Sequence, residues 1–210
     1  MSSLEEIIQN IREEWTEQNN VRDLTLQRSR MMIRSCANSI RATHRHEFPE
    51  AQALLEQAQE EARLMVADAA PFGDILGSGY LIDALKEMAE AALTLALVTG
   101  GDLPTPESLG VPSAPYLNGM GEAAGELRRF ALDAIRRDDL ESAERMLSAM
   151  DDIYSHLVTM DFPDTLTRGL RRTTDMVRGV TERTRGDLTT AVRENMLQRA
   201  LIEFEQRLQG

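Results

Sequence analysis

An all-α fold is predicted by three observations. Apolar residues recur at three- and four-residue spacing along almost the whole chain. Aromatic residues make up only 4% of the sequence beside an apolar fraction of 42%, a composition poor in the residues that strands favour. No stretch reads as a convincing strand, and 210 residues suit one large domain or two small ones.

The elements follow in order. Leu4, Ile7, Ile8, Ile11 and Trp15 line one side of a first helix, with Ser2 or Ser3 as its cap. A second helix is expected from about Val21 to His44, with Leu24, Leu26, Met31, Ile33, Ala37 and Ile40 on its apolar side. His46-Glu47-Phe48-Pro49 ends it, and Pro49 suits the first turn of a third helix reaching about Ala70. That helix carries Ala53, Leu54, Ala58, Ala62, Leu64, Met65 and Val66. Pro71-Phe72-Gly73 and Gly77-Ser78-Gly79 then separate it from a more apolar helix, about Tyr80 to Val98. The one real loop is Thr99 to Pro115, broken by Gly100-Gly101, Pro104, Pro106 and Pro112. A fifth helix spans about Pro115 to Arg137, a sixth is capped by Asp138-Asp139, and a last helical region runs from Asp164 to Leu208. Seven helices in a single domain, residues 1–210, is the economical arrangement.

Charge and cysteine content narrow the classes. There are 35 Asp and Glu against 23 Lys and Arg, a formal net charge of −12. Only one of those 23 cations, Lys86, is a lysine. Acid excess with so little lysine suggests a salt-loving organism's cytosol, where self-repulsion is screened within about 3 Å at molar salt. A GC-rich genome with ordinary acidity is the plainer alternative. The sign of the charge excludes non-specific coating of DNA but leaves room for a local basic groove. One cysteine, Cys36, excludes an internal disulfide and a cysteine-based zinc cluster. No apolar run of about 18 residues predicts a membrane span. The acidic start Met1-Ser2-Ser3-Leu4-Glu5-Glu6 does not read as a signal peptide. A cytoplasmic protein is expected.

The apolar fourth helix carries an anomaly. Leu81, Ile82, Ala84, Leu85, Met88, Ala89, Ala91, Ala92, Leu95 and Ala96 cover most of its circumference, while Asp83, Lys86, Glu87, Glu90 and Thr94 share one narrow strip. A buried carboxylate without a partner costs several kcal/mol, so this strip must face solvent, a cavity or a counter-ion. Glu87 and Glu90 are i, i+3 neighbours and can ligate one cation together. The fifth helix repeats the feature: Glu122 and Glu126 are i, i+4, with Asp133 further along. Gly119, Gly121 and Gly125 lie among them. Each glycine costs a helix about 1 kcal/mol, so three so close suggest a tightly packed neighbouring helix. If that neighbour is the Glu87 helix, four carboxylates converge, an oxygen donor set suited to Mg2+ or Mn2+. Periodicity alone leaves a solvated acidic strip open beside the cation site.

Four stretches resemble the translin and TRAX (translin-associated factor X) family, in particular its archaeal single-subunit members. Ser29-Arg30 through Ile40, ending in Thr43-His44-Arg45, is similar to the family's second helix. Lys86-Glu87-Met88-Ala89-Glu90-Ala91 resembles the TRAX pattern Glu-x-x-Glu-Ala. Tyr116-Leu117-x-Gly119-x-x-Glu122-x-x-Gly125-Glu126-Leu127-x-Arg129 resembles Tyr-Leu-x-Gly-x-x-Asp-x-x-Gly-Glu-Leu-x-Arg, with Glu122 where TRAX has Asp. Gly169-Leu170-Arg171-Arg172-x-x-Asp175 resembles a translin motif near the C-terminus.

The resemblance implies a seven-helix translin-like bundle assembling into hollow homo-octamers that enclose single-stranded RNA, or single-stranded DNA. It implies a Mg2+-dependent (or Mn2+-dependent) endoribonuclease whose catalytic and metal-ligating residues are Glu87, Glu90, Glu122 and Glu126. The alternative it implies is a translin-like protein that binds nucleic acid without cutting it. Nucleic-acid contacts are expected from Arg30, Arg34, Arg41 and Arg45, which recur near helical spacing, and from Arg171 and Arg172. TRAX carries a basic pair where this chain has Ala37 and Asn38, so only the general location transfers. The opposing reading of the arginine stripe is surface pairing with the acids of the next helix. Cys36 is expected in the core and His156 to be partly buried.

Overall fold

The computed structural model describes residues 3–209, and every regular element among them is helical. Six helices are long: α1 (Leu4–His44), α2 (Phe48–Ala69), α4 (Gly79–Thr99), α6 (Ser113–Ile135), α7 (Leu140–Leu157) and α9 (Leu170–Gln209). Three are single turns: α3 (Gly73–Leu76), α5 (Pro106–Leu109) and α8 (Asp164–Thr167). The all-α class is as the sequence predicts. The expected break between the first two helices is absent, because Thr16–Asn20 contains neither glycine nor proline and the helix simply continues. Of the two candidate caps, Ser3 opens α1 with a capping box: the Glu6 amide donates to its hydroxyl and its own amide donates to the Glu6 carboxylate. Ser2 lies outside the described residues.

The contacts divide the chain into two compact units, one from the start to Leu95 with Pro104–Gly119, the other Ala96–Leu103 with the chain from Met120 onward. The boundary falls inside α4 and inside α6, both of which are unbroken helices.

In the first unit α1 and α2 form a helical hairpin, turned at Arg45–Glu47 with His46 at φ 61°. The buried positions of α1 are Thr25, Ser29, Met32, Cys36, Ser39 and Thr43, with Ala42; those of α2 are Ala51, Leu55, Ala58, Ala62, Met65 and Ala69. Both series alternate four- and three-residue steps, the heptad spacing that keeps a seam facing one partner. The residues are small, so the backbones approach closely enough for the Ser39 hydroxyl to donate to Ala51 O at 2.8 Å. This seam differs from the one predicted for α1: Leu24 and Met31 are exposed. Thr25, Ser29 and Thr43 are buried instead because each hydroxyl donates back to a carbonyl of its own helix, Thr25 to Val21, Ser29 to Leu26 and Thr43 to Ser39. A hydroxyl satisfied this way buries at little cost, which hydrophobicity alone does not register.

α4 is buried around most of its circumference, with Leu81, Ala84, Leu85, Met88, Ala89, Ala91, Leu93 and Val98 all in the core. The Tyr80 and Thr25 hydroxyls share a hydrogen bond of 2.7 Å that ties its start to α1. The expected loop after α4 holds α5, capped by the Thr105 hydroxyl and ended by Gly110 at φ 65°. Tyr116 at the start of α6 donates to Pro104 O at 2.7 Å, fixing the loop's return.

In the second unit α7 begins at the Asp139 cap, whose carboxylate accepts from the Ser142 amide. It buries Ala143, Met146, Leu147, Met150, Ile153 and Leu157. α9 packs against it through Leu170, Thr174, Val177, Thr181, Thr184 and Leu188, again at four- and three-residue steps. Arg185 reaches Asp151 on α7 at 2.6 Å. The outer ends of the two longest helices are different. Leu4, Ile7, Ile8, Ile11 and Trp15 on α1, and Met196, Leu197, Leu201, Ile202, Phe204 and Leu208 on α9, are all exposed. None of the described helices is long and apolar enough to cross a membrane.

Candidate carboxylate metal site

The polar strip of α4 runs from outside to inside. Asp83 is exposed, Lys86, Glu87 and Glu90 are half-buried, and Thr94 is fully buried with no hydrogen-bond partner for its hydroxyl among the described residues. These residues lie within about 100° of helix circumference at 100° per residue, so they form one continuous polar face. Lys86 Nζ lies 3.5 Å from Glu87 Oε1. Cys36 on α1 is fully buried. Burial first, and then the charges of Glu87 and Glu90, push its thiol up from 9.0 to about 12. The acid pair therefore acts on Cys36, and this proximity was not legible in the sequence, because nothing in α1 announces which helix its buried seam meets.

The glycine expectation holds at two positions of three. A Cβ on Gly119 would stand 2.6 Å from Lys86 O and 2.9 Å from both Ala89 Cβ and Glu90 N. Only a glycine allows that approach, so α6 at residue 119 lies directly on the turn of α4 that carries the acids. A Cβ on Gly121 would stand 2.3 Å from Thr173 Cγ2, with Leu157 and Val177 close behind. Gly125 meets nothing within 4 Å; its place in the helix has no packing explanation. Glu122 and Glu126 are half-buried on α6, three and seven residues beyond Gly119. At 100° per residue, that spacing turns both toward the side of the helix that Gly119 occupies. Asp133, further along α6, pairs with Arg136 at 3.4 Å.

The arginine residues divide. Arg30, Arg34 and Arg41 on α1, and Arg45 at its C-cap, are all exposed, and the three on α1 share a strip about 40° wide at helical periodicity. Part of that strip is engaged: Arg45 contacts Glu47 of the turn and Glu50 of α2, and Arg41 donates to Asn38. Arg34 lines a groove with Glu56, Glu60 and Glu61. Arg28 is bound to Glu61 and Asp68, both at 3.0 Å, which holds its guanidinium charge more firmly than usual. Arg171 and Arg172 are exposed in the first turn of α9.

Fold and residues together define a class: an all-α chain with half-buried glutamates on an apolar helix. Comparison with known proteins sharpens it. No family model matches the chain. It is 30% identical over 184 residues to an uncharacterized protein of Methanocaldococcus jannaschii, covering 87% of this chain and 81% of that protein. Among solved structures it is similar to AfC3PO in complex with duplex RNA, with TM-score 0.84 and 34% identity over 90% of this chain and 98% of the other. It is similar to AfC3PO alone, with TM-score 0.81 and 31% identity over 90% of this chain and 98% of the other. Apo-NeC3PO shares the fold at TM-score 0.81, with 20% identity over 91% of this chain and 100% of the other. The chain belongs to the translin family, alongside the archaeal C3PO proteins.

Proposed function

We propose that the protein is a Mg2+-dependent endoribonuclease that cuts single-stranded RNA inside a hollow homo-oligomer, of eight subunits, built from translin-fold chains. Glu87, Glu90, Glu122 and Glu126 hold the divalent ion. The observation that carries this reading is the seat of Gly119 on Lys86–Glu90, from which α6 continues unbroken to Glu122 and Glu126. Glu87 and Glu90, one turn apart on α4 within the first unit, can offer carboxylate oxygens to one ion. An all-carboxylate donor set is hard and anionic, so it fits Mg2+ or Mn2+ and disfavours softer metals. When bound, the ion supplies Lewis acidity at a phosphodiester and lowers the pKa of water. The chain's own residues provide the ligands, fix them on rigid helices and hold the acid strip part-buried, where a charge acts more strongly than in bulk water.

RNA as the ligand class is supported by the likeness to AfC3PO, which was solved with an RNA duplex. Because that relative binds a duplex, exclusion by size is a poor ground for strand preference, and single- and double-stranded substrates belong in the same assay. Self-association is supported by the apolar faces at the outer ends of α1 and α9, which a second chain would cover. The competing reading is a binder that does not cut. It draws on Glu122, whose longer side chain stands where the TRAX motif has Asp.

The test is cleavage of end-labelled RNA with Mg2+ or Mn2+, repeated with EDTA. Glu126→Gln is expected to abolish cutting and leave binding intact. Undiminished cutting by that variant, or by wild type in EDTA, rejects the site.

A further inference from the structure

We propose that the outer end of α1 is an interface that pairs antiparallel with the same stretch of a second copy of this chain; this deepens the self-association in the reading above and rests on it. The buried seam of α1 steps through Thr25, Ser29, Met32, Cys36, Ser39 and Thr43. The same alternation of four and three residues, run backward through Arg22 and Gln18, lands on Trp15, Ile11, Ile8 and Leu4. One heptad seam therefore runs the whole length of α1. α2 covers its inner part and runs out near Ala69, where Asp68 meets Arg28. The outer part stays bare: Leu4 is 76% exposed and Trp15 67%. A groove lined by Ile8, Ile11, Arg12, Trp15, Thr16 and Asn19 follows it.

The residues of this stretch select the occupant and its direction. A heptad seam is filled by a helix of matching spacing, and an identical copy supplies one. With a two-fold axis between residues 8 and 11, Ile8 of each copy layers on Ile11 of the other, and Leu4 on Trp15. Glu5 of each copy then flanks Arg12 of the other, which gives two opposite-charge pairs. Parallel pairing in register sets Ile7 beside Arg12 and Glu14 beside Asn19, stacks Trp15 on its own copy, and brings two helix N-termini together. Antiparallel pairing avoids all three. Leu4, Ile7, Ile8, Ile11 and Trp15 are exposed enough for a pair of chains to cover about 1,000 Å2, the size a specific interface needs. The rival occupant is the outer end of α9 from another copy, with its own exposed Leu197, Leu201, Phe204 and Leu208.

The experiment is mass in solution by light scattering over a dilution series, with helix content and melting temperature recorded for each variant. Wild type is expected well above the 23.5 kDa of one chain. Ile8→Asp with Ile11→Asp, at positions outside the core, is expected to keep its helix content and fall to half the wild-type mass or less. Arg12→Glu places like charges together twice and is expected to dissociate at about tenfold higher protein concentration. Adding Glu5→Arg to it is expected to restore assembly to within about twofold of wild type, because the pairs re-form with their signs exchanged. Wild-type mass in the Asp variant overturns the proposal. So does a double charge reversal that assembles no better than Arg12→Glu alone, which is the result expected of α9 as occupant or of parallel pairing. In both cases an oligomeric wild type leaves the self-association standing. Wild type at 23.5 kDa removes the self-association, and this interface with it.

Discussion

Two acidic helices in the same unit share a sequence pattern and differ in what surrounds it. On α2, Glu56, Glu60 and Glu61 line an open groove, and arginines answer them: Arg63 clamps Glu60 and Arg28 reaches Glu61. Glu60 is exposed, and its carboxyl is held below the ordinary range by the Arg63 hydrogen bonds. On α4, Glu87 and Glu90 emerge from a helix whose other faces are core, against a fully buried Cys36 and under the backbone of Gly119. Acids at helical spacing are common, so the spacing itself separates nothing. The surroundings separate them: on α2 arginines answer an exposed Glu60 and a half-buried Glu61, and on α4 the half-buried acids, with Lys86 beside Glu87, rise from a helix whose other faces are core.

The largest effect that sharpens this contrast is on catalysis. Glu87→Gln is expected to lower RNA cleavage by at least about 100-fold, in line with the loss of a group that acts on the transition state. Glu60→Gln is expected to leave the rate within twofold. Equal losses from both variants would erase the distinction between the helices. Next in size is Gly119→Ala, which forces a methyl onto Lys86 O and Glu90 N; a loss of about 1–3 kcal/mol is expected in urea unfolding. Gly125→Ala, with open space around it, is expected to gain about 0.5–1 kcal/mol in the same measurement. A reversed order of these two glycine variants would mean that α6 does not rest on α4 at residue 119.

The smallest effect concerns Cys36. Its folded value lies above its unfolded one, so burying the neutral thiol stabilises the fold fully below pH 9.0, and that contribution is lost as pH rises toward about 12. The native protein is expected to resist a thiol reagent at pH 8 and to react on unfolding. Fast labelling of native protein would place Cys36 outside the α4 environment.

Much of this was readable from residues. The apolar girth of α4, the isolation of its polar strip and the glycines of α6 are all periodicity. The close approach at Gly119 and Gly121 follows from the missing Cβ. Three features were not readable. Thr25, Ser29 and Thr43 look polar in a list of residues and become core only because each returns its hydroxyl to its own helix. Gly125 looks like its two neighbours, yet a Cβ there would meet nothing within 4 Å. The arginine stripe of α1 is periodic, yet pairing with α2 occupies Arg45 and sets glutamates about Arg34, a consequence of which helix packs alongside.

The central claim is that carboxylates of α4 and α6 share one divalent ion. Mn2+ titration followed by EPR, on wild type, Glu87→Gln and Glu122→Gln, tests it most directly. The account predicts a saturable wild-type site that either substitution alone abolishes or weakens at least tenfold. Wild-type affinity persisting in Glu122→Gln, or no saturable site in wild type, would contradict it.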